Sequence, residues 1–105
     1  MSDLDQLLQE TKSVLSGLYG ERLTQLVLYG SHARGDAVSE SDIDLMAVLK
    51  GPVTPVAEIK RANPALCELS LHFGSDISCV FMAESRFLTE NSPLLLNARR
   101  EGKTV

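Results

Sequence analysis

Residues 23–49 read LTQLVLYGSHARGDAVSESDIDLMAVL, and this stretch decides the fold. Two apolar, β-rich runs at 23–29 and 42–49 flank a polar, turn-rich segment. Near-continuous apolar runs of this length are typical of strands that are buried inside a sheet. A short helix is expected from Ser31 to Arg34, directly after the first run. The stretch therefore predicts two neighbouring strands joined by a polar connection.

The rest of the chain is expected to supply helices and one more strand. A leucine stripe predicts a helix from Leu4 to about Leu18, and Thr54-Pro55 is typical of a helix start. The helical region after Thr54 is expected to form two stretches, with a break or a kink at Asn63-Pro64. Further along, we expect a third strand over 75–81, a short helix over 84–88 and a last helix over 92–100. The order α-β-turn-β-α-β-α predicts an α/β (α+β) fold, in which helices pack on one small mixed sheet.

Length and charge limit the possible classes of function. The chain has 105 residues, which predicts one domain over 1–105 with a single core. Its net charge is −4, and it lacks a basic stripe of the kind that binds nucleic acid. Its apolar runs are far shorter than the ~20 residues of a membrane span. The acidic, polar N-terminus has no signal-peptide pattern, so we expect a cytoplasmic protein without direct contact to nucleic acid or membrane.

Asp42 and Asp44 stand two residues apart in the second predicted strand. Their side chains therefore leave the same face of the strand, with Cα atoms about 7 Å apart. Two such carboxylates repel each other unless a cation lies between them. Mg²⁺ prefers oxygen ligands and commonly combines one or two carboxylates with substrate phosphates. The pair is a candidate metal site, and the structural alternative is a turn-capping Asp42 with a solvent-facing Asp44.

Gly30-Ser31 follows directly on the first strand and is a candidate phosphate turn. A glycine lets the backbone approach a phosphate closely, and Ser31 adds a hydroxyl donor. The N–H groups at the start of the following short helix would also attract an anion. A plain strand-ending turn is the alternative for Gly30. Arg34 is expected either to contact a phosphate or to pair with Asp36 or with the aspartate pair.

Asp76 opens the third predicted strand and is a candidate third carboxylate. If this strand lies next to the second one, Asp76 comes beside Asp42 and Asp44. It could then bind a metal ion and accept the proton of an attacking hydroxyl group. An aspartate that merely begins a strand or a turn is the alternative.

Several of these residues together resemble a known family. Gly30-Ser31, ten intervening residues and the Asp42-x-Asp44 pair are similar to the signature of the minimal nucleotidyltransferases (MNT domains) of the DNA polymerase β superfamily. The resemblance implies a polymerase β-like nucleotidyltransferase fold, ATP as the substrate and two Mg²⁺ ions as cofactors. It also implies that Gly30 and Ser31 hold the triphosphate, that Asp42 and Asp44 bind the metal ions, and that Asp76 is the third carboxylate.

The same resemblance implies a partner. MNT proteins of toxin–antitoxin pairs act as antitoxins that transfer AMP to a tyrosine hydroxyl of a separate HEPN-domain toxin. A chain of 105 residues holds a catalytic sheet and little else, so we expect the acceptor to bring its own binding surface. Two alternatives stay open. One is an antitoxin that neutralises its partner by contact alone, and the other is the catalytic subunit of a small-molecule, aminoglycoside-type nucleotidyltransferase.

Overall fold

The computed structural model describes residues 3–35 and 42–105, in which helices pack on a four-stranded mixed sheet. In chain order the elements are α1 (Asp3–Tyr19), a 3₁₀ turn (Gly20–Arg22), β1 (Leu23–Tyr29), α2 (Ser31–Arg34), β2 (Ile43–Leu49), α3 (Pro55–Phe73), β3 (Ile77–Ala83), α4 (Glu84–Thr89), α5 (Pro93–Glu101) and β4 (Lys103–Thr104). The strand order is β3-β2-β1-β4. Strand β1 is antiparallel to β2 and β4, while β2 and β3 run parallel. The predicted α/β (α+β) class is confirmed.

Strand β2 is the central element of the sheet and is buried on both faces. Alternate residues of a strand point to opposite faces, and the two faces of β2 enter different parts of the core. One face packs under α1 and α3 through four residues: Ile43, Leu45, Ala47 and Leu49. The other face contributes Met46 and Val48 to a second cluster with Phe87 of α4 and Leu95 of α5. This two-sided burial explains why the run reads as continuously apolar.

Helix α3 is one helix from Pro55 to Phe73, so the predicted division at Asn63-Pro64 is wrong. Pro64 is exposed and stands inside the helix, whereas Ala62 and Leu66 on either side of it are buried. A proline removes one backbone hydrogen bond and crowds the preceding turn. Pro64 lies on the solvent side of α3, and the burial of Ala62 and Leu66 outweighs the lost hydrogen bond, so the helix stays continuous.

The edges of the sheet also differ from the sequence-based prediction. Strand β3 spans Ile77–Ala83, two residues later than predicted, because α3 continues to Phe73 and ends at Gly74 in the left-handed conformation, with φ of 65°. Strand β4 was not predicted, since two residues are too few to show a pattern. No helix within residues 3–35 and 42–105 has the length and apolar character needed to cross a membrane.

Candidate active site

The phosphate turn and the aspartate pair meet through the ladder between β1 and β2. Asp44 is the antiparallel partner of Tyr29, the residue directly before Gly30. Because Ile43 and Leu45 enter the core beneath α1 and α3, Asp44 points to the opposite face. The side chain of Asp44 is partly exposed there and that of Asp42 is exposed. The two candidate motifs therefore lie side by side on one face of the sheet.

Both the backbone conformation and the neighbouring side chain require a glycine at position 30. Its φ is 75°, in the left-handed region that side-chain-bearing residues rarely adopt. A β-carbon added at this position would overlap the carboxylate group of Asp44. Arg34 N–H donates a hydrogen bond of 3.1 Å to the carbonyl of Gly30, which closes the first turn of α2. The absence of a side chain at Gly30 therefore leaves open the space next to the Asp44 carboxylate.

The electrostatics of Asp44 match a site for a cation. Burial raises the pKa of Asp44 above its ordinary value, and the neighbouring Asp42 raises the pKa further. The charges of His32 and Arg34 act in the opposite direction and lower the pKa. The negative charge of Asp42 therefore disfavours the charged form of Asp44, and a cation between the two carboxylates would remove that penalty. An exposed and a half-buried carboxylate on one face fit Mg²⁺, which takes one or two protein carboxylates beside phosphate oxygens.

Asp76 lies next to this pair in register but does not complete a three-ligand group. It precedes β3 by one residue, opposite Asp42, and its carbonyl accepts a hydrogen bond of 2.9 Å from the N–H of Ile43. Within residues 3–35 and 42–105, no three His, Cys, Asp or Glu side chains are arranged to hold a common metal ion. The role of Asp76 as third carboxylate and proton acceptor stays a prediction.

Arg34 reaches across to the C-terminal helix. Its guanidinium group lies 3.8 Å from the carboxylate of Glu101 at the end of α5, and both side chains are about half exposed. Such an exposed pair contributes at most about 1 kcal/mol, so it can be exchanged for another partner at little cost. A phosphate contact by Arg34 stays a prediction. The alternative partner Asp36 and the hydroxyl group of Ser31 lie outside the described part of the structure.

Two residues beside Asp44 were not selected as site residues from the sequence. Asp44 has Tyr29 as its partner on β1 and Ser78 as its partner on β3, so the three residues form one row across the sheet. Tyr29 is partly buried, and burial together with the charge of Asp44 raises the pKa of its phenol. Ser78 is exposed. Only the strand register reveals this row, because Tyr29 read as a core residue and Ser78 as an ordinary strand residue.

Comparison with known proteins identifies the family. Residues 4–94 match the model of the nucleotidyltransferase domain. The chain belongs to the nucleotidyltransferase domain family. The predicted nucleotidyltransferase class is thereby confirmed. The domain match includes Gly30, Ser31, Asp42, Asp44 and Asp76.

Curated relatives of this nucleotidyltransferase come from the archaeon Methanocaldococcus jannaschii and carry provisional names as protein adenylyltransferases. MJ0604 is 39% identical over 102 residues, which cover 96% of each chain. MJ1305 is 33% identical over 90 residues, which cover 85% of this chain and 58% of the relative. The chain thus spans little more than half the length of MJ1305 but nearly the full length of MJ0604.

Solved structures share the fold at low sequence identity. A toxin–antitoxin complex named MntA–HpeT superposes with a TM-score of 0.64 at 18% identity, over 99% of this chain and 72% of the other. A minimal nucleotidyltransferase gives 0.62 at 22% identity, over 99% and 97%. The MNT antitoxin complex with the tri-AMPylated HEPN toxin of Shewanella oneidensis gives 0.61 at 19% identity, over 95% and 69%. These likenesses confirm the nucleotidyltransferase fold.

Proposed function

We propose that this nucleotidyltransferase transfers AMP from ATP to a tyrosine hydroxyl group of a separate HEPN-type toxin and thereby acts as its antitoxin. The observation that carries the proposal is the pairing of Asp44 with Tyr29 beside Gly30. It brings a turn without a side chain and two carboxylates to the same face of the sheet. A triphosphate needs both features, because its oxygens require donors and its charge requires cations.

The relatives support the choice of nucleotide and acceptor. The curated relatives are named as protein adenylyltransferases, a name for enzymes that transfer an adenylyl group to proteins. One structural neighbour was solved with AMP-PNP, and another contains an AMPylated HEPN toxin bound to its MNT antitoxin.

Each residue of the site has a task in the proposed reaction. The open turn at Gly30 admits the phosphates close to the backbone, and Ser31 and Arg34 supply further donors to them. Asp42 and Asp44 would hold Mg²⁺, which when bound neutralises the phosphate oxygens and the charge that develops on them. Holding these groups in place is the main catalytic contribution of the domain.

The transfer itself is a displacement at the α-phosphorus of ATP. The acceptor oxygen forms a bond to this phosphorus while the bond to the β-phosphate oxygen breaks, and pyrophosphate leaves. Asp76 takes the proton from the acceptor hydroxyl group, because it is an exposed carboxylate on the β3 side of the aspartate pair. The product is a protein that carries AMP in a phosphodiester bond.

Mass spectrometry of the partner tests the proposal. The protein is incubated with ATP, Mg²⁺ and the purified product of the adjacent gene, and the mass of that product is measured. We expect a gain of one or more AMP groups, reduced roughly a hundredfold or more by Asp44→Asn because the carboxylate pair is lost. Glu68→Gln is the matched control, since Glu68 is an exposed acid on α3.

Other outcomes favour the other functions. Neutralisation of the toxin by the Asp44→Asn protein, without any mass gain, would contradict the proposal and indicate an antitoxin that acts by contact. Adenylylation of an added aminoglycoside, with no modification of the partner, would indicate a small-molecule nucleotidyltransferase.

A further inference from the structure

The outer edge of the sheet at β3 offers backbone groups for a further strand. Within residues 3–35 and 42–105, strand β3 is the last strand on its side of the sheet, and only β2 pairs with it. Its seven residues, ISCVFMA, contain no charge, no proline and no glycine. Natural sheets protect such edges with charges or prolines, because an open edge pairs readily with another extended chain. An unprotected edge next to the candidate active site therefore suggests a binding surface.

The ladder shows which backbone groups of β3 face outward. The carbonyl of Asp76 accepts a hydrogen bond from the N–H of Ile43 on β2. In a parallel ladder the backbone groups of alternate residues face the same side, so the N–H and carbonyl of Ser78 also face β2, whereas those of Ile77 face the open edge. The outward groups belong to four residues of the strand: Ile77, Cys79, Phe81 and Ala83.

Part of this edge is already capped and part is open. The N–H of Ile77 donates to Ser70 Oγ of α3 over 3.2 Å. The N–H of Cys79 has no hydrogen-bond partner within the described residues, whereas Phe81 is only 4% exposed and its backbone is largely covered. A strand that adds here would therefore pair with the middle of β3, beside Ser78.

The open edge is in line with the active site. The row Tyr29–Asp44–Ser78 crosses the sheet, and its next position would be a residue of the added strand. With neighbouring strands about 4.8 Å apart, that residue's Cα would lie about 9.6 Å from the Cα of Asp44. Ser78 between them is small and exposed, so it leaves the path over the sheet face open.

We propose that the acceptor binds as an extended segment that adds to the edge of β3 and places its tyrosine in the row of Ser78 and Asp44. This inference rests on the proposed function and names how its substrate is held. A tyrosine side chain is long enough to span most of the two strand spacings, whereas a serine side chain is not. Strand addition uses backbone bonds for affinity and alternate side chains for specificity. Asp76 and Glu84 flank the edge, so basic residues at both ends of the segment are favoured.

A synthetic peptide tests this assignment. The probe is acetyl-Lys-Thr-Ile-Tyr-Ile-Thr-Lys-amide, made unmodified, with N-methylated tyrosine, and with N-methyl groups on both isoleucines. N-methylation removes a backbone N–H donor. Only the peptide whose N-methyl groups point toward β3, either on the tyrosine or on the isoleucines, should therefore bind more weakly, by about tenfold. Backbone NMR should show the amide of Cys79 shifting on titration without ATP. With ATP and Mg²⁺, the tyrosine should gain AMP.

A variant provides a second measurement. Ser78→Phe should block the row, so it should raise KM for the peptide at least tenfold and leave the affinity for nucleotide unchanged. Ser13→Phe, at an exposed position of α1, is the matched control and should change neither quantity.

The outcomes separate this inference from the proposed function. If both N-methylated peptides bind as tightly as the unmodified peptide, strand addition is overturned. It is also overturned if AMP is transferred only to the folded partner and Ser78→Phe does not change that transfer. A dimer in sedimentation that protects the Cys79 amide also overturns it, because a second copy then covers the edge. Absence of transfer to both partner and peptide overturns the proposed function and the acceptor assignment together, even if the peptide binds.

Discussion

Replacement of Gly30 by alanine tests how the site depends on one missing side chain. Its φ of 75° lies in the left-handed region, and a residue other than glycine pays about 1–3 kcal/mol there. At about 4–8 °C per kcal/mol for a domain of nearly this size, the melting temperature should fall by about 4–24 °C. In addition, the new β-carbon would overlap the carboxylate of Asp44 and displace it. We therefore expect a loss of nucleotide binding on top of the loss of stability.

Gly51→Ala is the control for the backbone cost. Gly51 follows β2 with a φ of 78°, and a β-carbon there would have no neighbour within 4 Å. Both variants should lose a similar amount of unfolding free energy through backbone strain, but only Gly30→Ala places a β-carbon against the carboxylate of Asp44. Thermal unfolding measures the first effect, and the fluorescence of a mant-ATP–Mg²⁺ complex measures the second.

We expect the affinity for the nucleotide to fall at least tenfold in Gly30→Ala and to remain unchanged in Gly51→Ala, because a carboxylate displaced by about 1 Å loses its alignment with the phosphates. If Gly30→Ala binds the nucleotide within twofold of Gly51→Ala at equal stability, then the open space beside Asp44 has no role in binding. That result would refute the assignment of Gly30 as the phosphate turn.

Three further predictions concern the scaffold. Pro64→Ala should stabilise the protein by about 1–3 kcal/mol in urea unfolding, because it restores a hydrogen bond inside α3; an unchanged midpoint would contradict this. Glu58→Ala should cost about 2–4 kcal/mol, since this buried carboxylate accepts from Thr54 N–H and Tyr19 O–H and pairs with Arg61, whereas exposed Glu68→Ala should cost under 0.5 kcal/mol. Burial raises the pKa of Cys79 to about 12, so iodoacetamide at pH 8 should alkylate exposed Cys67 alone in the folded protein; equal labelling would refute the burial of Cys79.

Strong local patterns made the centre of the fold predictable. The apolar runs before Gly30 and after Asp42 gave both central strands within one residue of their observed ends. The Asp-x-Asp spacing gave the shared face, because strand geometry alternates side chains whatever the tertiary context. The last helix, predicted over 92–100, likewise agrees with α5, at whose start the Ser92 hydroxyl accepts from the N–H of Leu95.

Features that depend on contacts between distant segments were not predictable. Pro64 read as a helix breaker, but the burial of its neighbours against the sheet outweighs its local cost. Strand β4 has two residues and exists only because β1 offers it a partner. Ser78 and Tyr29 gained their place beside Asp44 from the register of two ladders, which no local pattern encodes.

Because Asp44 pairs with Tyr29, the candidate site forms only when β2 has the correct register against β1. Side chains alternate with a period of two, so a slip of β2 by one residue would turn Asp44 into the core beneath α1 and α3. The same slip would move Leu45 to the face that carries Asp44 and would leave a carboxylate group in the core, which costs several kcal/mol. The hydrophobic core thus fixes the alignment of the candidate site residues, and a chain with the wrong register would be misfolded and not merely less active.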